Sequence, residues 1–128
     1  MNITNTLEDY LEAVYILQKN ENHPVRVKEI ASFLDVNKTT VVASIKKLKE
    51  NELVNQEHYG YVFLTEEGEK EAQKIYKKHS VLKNFLTEVL GIEEKKADDE
   101  ACKMEHILSE ETIRKIKNLS ETYQKENS

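Results

Sequence analysis

Apolar side chains recur every three or four positions along most of this 128-residue chain. That period puts them on one face of successive amphipathic helices. Leu7, Tyr10, Leu11, Val14 and Leu17 predict a first helix over about residues 5–19. The polar run from Asn20 to Pro24 predicts a loop, and Val27, Ile30, Ala31 and Leu34 predict a short second helix. Asp35-Val36-Asn37 reads as a tight connection. Asn37 or Lys38-Thr39 then opens a third helix whose inner face is Val41, Ile45 and Leu48. The period changes next. Leu53-Val54 and Tyr61-Val62-Phe63-Leu64 are β-favouring runs around His58-Tyr59-Gly60, which predicts a hairpin turning near Gly60.

Helical spacing then resumes. Thr65 caps a long helix from about Glu66 to Val89, with Ala72, Ile75, Tyr76, Val81 or Leu82, and Phe85 or Leu86 on its apolar side; Gly91 breaks it. A further helix is expected from about Glu94 to Leu108. Ser109 caps the last one, with Ile113, Ile116, Leu119 and Tyr123 as its buried stripe and a frayed end at residues 126–128. With only three Gly and one Pro, long helices are easily accommodated and a loop-rich all-β fold is disfavoured. The expected fold class is mostly α, with a winged helix-turn-helix (three helices plus a β-hairpin wing) at the N-terminal end and a helical segment after it.

In such an arrangement the second helix braces the third, whose outer face enters a major groove. Asn37, Lys38, Thr39, Thr40, Ala43, Lys46 and Lys47 lie at its start or outside its apolar stripe. Small Thr and Ala side chains allow close approach to thymine methyls, and lysines pair with phosphate. The alternative is a solvated amphipathic helix with an ordinary charge bias. Charge distribution bears on this choice. The formal net charge of −5 argues against a general nucleic-acid coat, yet residues 37–49 carry Lys38, Lys46, Lys47 and Lys49 and no acid. Residues 93–111 carry eight acids, among them Asp98, Asp99, Glu100 and Glu105, against three lysines.

Several function classes fall away. No run approaches the roughly 18–20 apolar residues of a membrane span, and the N-terminus lacks the basic flank and apolar run of a signal peptide. One cysteine makes no internal disulfide, so the cytoplasm is the expected compartment. There is no His-Glu-x-x-His, no Gly-rich phosphate loop and no nucleophile elbow, so an enzyme is not expected.

Chemistry concentrates in Cys102-Lys103-Met104-Glu105-His106. On a helix, Cys102, Glu105 and His106 share one face, which brings together a thiol, a carboxylate and an imidazole suited to a divalent transition metal. Taken alone, a lone Cys is as well explained as a small apolar core residue. Asp9 and Glu12 stand one helical turn apart on the first helix; Asp9 also suits the helix dipole, and Glu12 a solvent face. His79 follows Lys77-Lys78, and His23 and His58 are assigned no metal role.

Taken together, these stretches resemble the diphtheria toxin repressor and manganese transport regulator family. The matching segments are residues 7–15, 30–54 and 64–68, His79, and above all residues 99–109. The resemblance implies a homodimer, with residues 1–68 as the DNA-binding domain and residues 69–128 as the helical metal-binding and dimerisation domain. It implies metal ligands at Asp9, Glu12, His79, Cys102, Glu105 and His106, and a repressor of metal-uptake genes that binds double-stranded operator DNA, an inverted repeat, when loaded. The implied ion is Mn(II) or Fe(II), with a slight lean to Mn(II), and other divalent metals substitute in vitro. No membrane and no small organic substrate are expected as partners. Helices reaching about residue 124 leave no room for the third domain of some members.

Two positions depart from the family pattern. Lys83 stands where several relatives have a ligating glutamate, and Asp98 where some have a histidine. They leave open whether one ion or two bind per subunit. The remaining alternatives are a winged-helix regulator that senses a non-metal signal, or redox state through Cys102, and a helical dimerisation module with no DNA role.

In the implied mechanism, facing carboxylates repel until a dication neutralises them. Recognition helices then match half-sites roughly 34–36 Å apart on DNA. Protons compete for the imidazoles and the thiolate, so the metal response is expected to weaken as pH falls.

Overall fold

The computed structural model describes residues 7–21, 24–57 and 60–127. His23 and His58 lie outside them, as do the first two residues of the first predicted helix and Ser128. The described chain forms six α-helices: α1 (Leu7–Glu21), α2 (Val27–Leu34), α3 (Lys38–Glu50), α4 (Glu66–Asn84), α5 (Glu94–Met104) and α6 (Glu110–Glu126). Two short strands, β1 (Val54–Gln56) and β2 (Val62–Leu64), lie between α3 and α4. Among the described residues no helix is long and apolar enough to cross a membrane. Contacts divide the chain into two compact units, one ending at Lys74 and the other beginning at Ile75.

In the first unit α1, α2 and α3 pack against one another, α1 also meets β2, and α3 meets β1. The predicted stripes are the core: Tyr10, Leu11 and Val14 from α1, Ile30 and Ala31 from α2, and Val41, Ile45 and Leu48 from α3 are all buried. Local chemistry sets the turns. Asp35 adopts a left-handed conformation (φ 55°), which ends α2 and lets the Val36 N–H return to the Ala31 carbonyl. Asn37 caps α3: its Oδ1 accepts from the Thr40 N–H at 2.8 Å.

The wing pairs antiparallel, with Val54 opposite Leu64 and Gln56 opposite Val62. The Val62 N–H reaches across to the Val25 carbonyl at 2.7 Å and ties the wing to the loop before α2. Thr65 fixes the exit from the wing. Its hydroxyl donates to the Glu52 carbonyl at 2.7 Å and accepts from the Gly68 N–H at 3.0 Å. Gly68 is required there, because a Cβ would overlap the Leu53 carbonyl.

The second unit has its own core of Leu82, Leu86, Ala97, Ala101 and Ile113. Three differences from the expected pattern occur here. The long helix does not stay α-helical to Val89; after Asn84 it widens to a π-turn over Phe85–Val89. The Thr87 hydroxyl donates to the Lys83 and Asn84 carbonyls at 3.0 and 3.3 Å, competing for the acceptors that the ordinary ladder uses. Gly91, at φ 72°, then ends it.

The second difference lies in α5, which stops at Met104 rather than Leu108. Glu105 still donates its N–H to Ala101 at 2.9 Å, but Ile107 and Leu108 both return to the Met104 carbonyl, which tightens the last turn. Ser109 must be extended (ψ 162°) to cap α6, so the helix cannot run on.

The third is a rotation of α6. Ile113 and Ser120 are buried and Ile116 is half-buried, whereas Leu119 and Tyr123 are 56% and 39% exposed. Packing of α6 on the π-turn and the hydrogen bonding of Gln124 with Asn84 (3.2 Å) select this orientation. The Ser120 hydroxyl stays satisfied by donating to the Ile116 carbonyl.

Candidate metal centre and nucleic-acid face

Four of the six predicted ligands belong to the second unit, and the structure brings them together. Cys102 sits on the last turn of α5, and Glu105 and His106 on the tightened turn that follows it. One donor atom from each, a thiol sulfur, a carboxylate oxygen and a ring nitrogen, lies within 4.8 Å of the other two. His79, from α4, places its Nδ1 3.5 Å from Glu105 Oε1, and His106 Nε2 lies 4.0 Å from the same oxygen. The other two, Asp9 and Glu12, lie in the first unit, on the first turns of α1, and are buried at 2% and 6% exposure.

Glu105 is the informative residue. Its side chain is fully buried, and among the described residues no hydrogen-bond donor reaches either carboxylate oxygen. Burying a carboxylate costs several kcal/mol unless it is paired and hydrogen-bonded. Two imidazoles approach its Oε1, and each carries a lone pair when neutral. A thiol, a buried carboxylate and two imidazoles make a borderline-soft donor set that fits a first-row divalent metal.

The far side of His79 is held as well. Its Nε2 lies 2.7 Å from Asp98 Oδ1 on α5. Lys83, one turn on from His79, has its ammonium 3.6 Å from Asp98 and 3.4 Å from Glu94. Sequence reasoning marked Lys83 and Asp98 as departures but did not link them to each other or to His79. Only the pairing of α4 with α5 makes that link.

On the first unit the predicted DNA-facing residues Asn37, Lys38, Thr39, Thr40, Ala43, Lys46 and Lys47 are all exposed. Two of them also serve the helix, because the Thr40 hydroxyl and N–H both donate to Asn37 Oδ1 at 2.8 Å. Thr39, Ala43, Lys46 and Lys47 make the outward face opposite Val41, Ile45 and Leu48. Sequence reasoning passed over Val42, which is 55% exposed on the same helix. Its place outside the 41/45/48 spacing was the available signal. Arg26, the residue before α2, stacks on the Tyr61 ring at 4.9 Å and donates to its hydroxyl at 2.6 Å.

A three-helix unit with a wing and a solvent-facing third helix, joined to a helical unit that gathers metal donors, defines a metal-dependent transcriptional regulator. Comparison with known proteins agrees. Residues 2–62 match the family model described as iron dependent repressor, N-terminal DNA binding domain. Residues 65–127 match the iron dependent repressor, metal binding and dimerisation domain. An HTH-type transcriptional regulator of Methanocaldococcus jannaschii is 41% identical over 94% of this chain and 97% of its own length. The HTH-type transcriptional regulator MntR of Bacillus pumilus is 31% identical over 94% of this chain and 83% of its own.

Among solved structures, a manganese-dependent transcriptional repressor in complex with manganese superposes with a TM-score of 0.83. It is 30% identical and covers 90% of this chain. The manganese regulator SloR gives a TM-score of 0.80 at 27% identity over 89% of this chain. The chain spans about half the length of those two solved chains, 52% and 53%. The chain belongs to the iron-dependent repressor family of metal-dependent transcriptional repressors, the group that contains the manganese regulators.

Proposed function

We propose that the chain is a homodimeric repressor that binds inverted-repeat operator DNA when loaded with Mn(II) or Fe(II), and so controls metal-uptake genes in the cytoplasm. The observation that carries this reading is the Glu105 carboxylate, buried without a hydrogen-bond donor and ringed by the donors of Cys102, His106 and His79.

In this proposal Asp9 and Glu12 add two hard oxygen donors from the DNA-binding domain, residues 1–68. The other four ligands belong to residues 69–128. A bound dication supplies the positive charge that lets these acids and the thiolate be held close together. Asp9 and Glu12 then tie α1 to the α5 end of the chain and set the spacing of the two α3 helices in the dimer. Thr39, Ala43 and Val42 meet base edges and methyl groups, and Lys38, Lys46 and Lys47 meet phosphates. Asn37 and Thr40 fix where α3 begins. The exposed Leu119 and Tyr123 of α6, with Ile107 (67% exposed), supply apolar surface for pairing two chains. Asp9 and Glu12 favour a hard ion and Cys102 a softer one; the lean is to Mn(II).

Gel shifts carried out anaerobically with each metal in turn, on promoter fragments of metal-uptake genes, test the proposal. A retarded complex that needs Mn(II) or Fe(II) and disappears with chelator is expected. A complex that ignores chelator would instead favour a non-metal or redox signal.

A further inference from the structure

We propose that Asp98 and Lys83 are positioning residues for His79. Asp98 accepts the Nε2 proton and so turns Nδ1 toward Glu105 as the donor atom, and the Lys83 ammonium is the resident cation on the outer side of that ring. The inference rests on the reading of His79 as a metal ligand.

A neutral imidazole carries one N–H and one lone pair. A carboxylate can only accept, so the 2.7 Å contact between His79 Nε2 and Asp98 Oδ1 makes Nε2 the N–H. In the neutral ring Nδ1 then carries the lone pair, and it lies 3.5 Å from the buried Glu105 Oε1. Two electron-rich atoms face each other at a separation suited to sharing a cation. A carboxylate behind a ligating histidine is a common way to fix both tautomer and ring direction.

Asp98 is itself half exposed, at 51%, and would swing without a partner. Lys83 supplies one. His79 and Lys83 are four residues apart on α4, and Glu94 and Asp98 four apart on α5, so each pair shares a helix face. The ammonium sits between the two acids, 3.4 Å from Glu94 and 3.6 Å from Asp98. Exposed ion pairs of this kind add little to stability. The role of the lattice is therefore direction rather than stabilisation. It has a second consequence: a cation already occupies the side of His79 where Asp98 and Glu94 offer oxygens. No further dication is expected on that side.

Long-range proton–nitrogen NMR of the full-length homodimer with ¹⁵N-labelled histidine tests this, metal-free and with Zn(II) as a diamagnetic probe. The expected metal-free state of His79 is the Nε2–H tautomer, and zinc should move its Nδ1 signal. Asp98→Ala should mix the tautomers and lower zinc affinity by about 10- to 100-fold. Lys83→Met should do the same to a smaller extent, and Lys83→Arg should restore both.

An Nδ1–H tautomer, a zinc shift at Nε2, or Asp98→Ala with unaltered tautomer and affinity would each overturn the inference. If zinc moves His106 but not His79, then His79 is not a ligand and the inference falls while the rest of the centre stands. If zinc is not retained and moves neither ring, the metal-site reading fails with it. Circular dichroism of each variant separates these outcomes from unfolding.

Discussion

The Nδ1 of His79 and the Oε1 of Glu105 lie 3.5 Å apart, one on α4 and the other just past the end of α5, with the carboxylate fully buried. A second histidine, His106, approaches the same oxygen at 4.0 Å. Titratable side chains from α4 and from the turn after α5 thus converge on one point inside the second unit. Removing the central one should cost more than removing an outer partner, for which losses of about 10- to 100-fold in metal affinity are typical. Glu105→Ala is expected to abolish metal-dependent operator binding while leaving the helical far-ultraviolet spectrum unchanged, and His106→Ala should behave alike. Metal titration followed by DNA-binding anisotropy measures this. Both variants keeping the wild-type metal response would remove the centre from the mechanism.

The lysines of α3 act through phosphates rather than bases. Lys46→Ala and Lys47→Ala should weaken binding to specific and random duplexes alike. Each lost phosphate contact should flatten the slope of log affinity against log salt by about 0.9. Anisotropy titrations at four salt concentrations provide the slopes, and wild-type slopes would mark both side chains as plain solvent surface.

Leu119 and Tyr123 were expected in the core and are exposed on α6 instead. If that face pairs two chains, Leu119→Glu together with Tyr123→Glu should shift the sedimenting species to monomer at micromolar concentration. Operator affinity should fall with it, since one reading head then binds alone. A dimer of unchanged stability would place the pairing surface elsewhere.

Gly68 sits in the first turn of α4 against the Leu53 carbonyl, with no space for a methyl group. Gly68→Ala should lower unfolding stability by about 1–3 kcal/mol, the usual range for overpacking, even though alanine is the better helix former. Denaturant melts of the metal-free protein give the difference. An equal or higher midpoint would show that the wing moves aside at little cost.

Much of the fold was legible because each core stripe has a single periodicity and most helix starts carry a polar cap. Val41, Ile45 and Leu48 on α3, and Asn37 and Ser109 as caps, behave as their spacing and chemistry dictate. What escaped depends on side chains from other elements. Helical spacing cannot say by itself whether Leu119 or Ser120 faces inward, because the two differ by one position. The contacts of α6 with the π-turn decide it. The shortened α5 likewise reflects competition: Leu108 is apolar enough to continue the helix, but the cap at Ser109 needs extended backbone beside it. In the candidate site, the spacing of Cys102, Glu105 and His106 was readable from one segment. The chain Glu94, Lys83, Asp98, His79 was not, since it exists only once α4 and α5 lie side by side.

Operator and metal, if linked through one protein, must each strengthen the other by the same factor. Calorimetric Mn(II) affinity of the full-length chain, measured with and without saturating operator, is the most direct test. The expected result is a tightening of about 5- to 150-fold, equal to the gain in operator affinity that Mn(II) produces. An Mn(II) affinity that operator leaves unchanged would contradict the account.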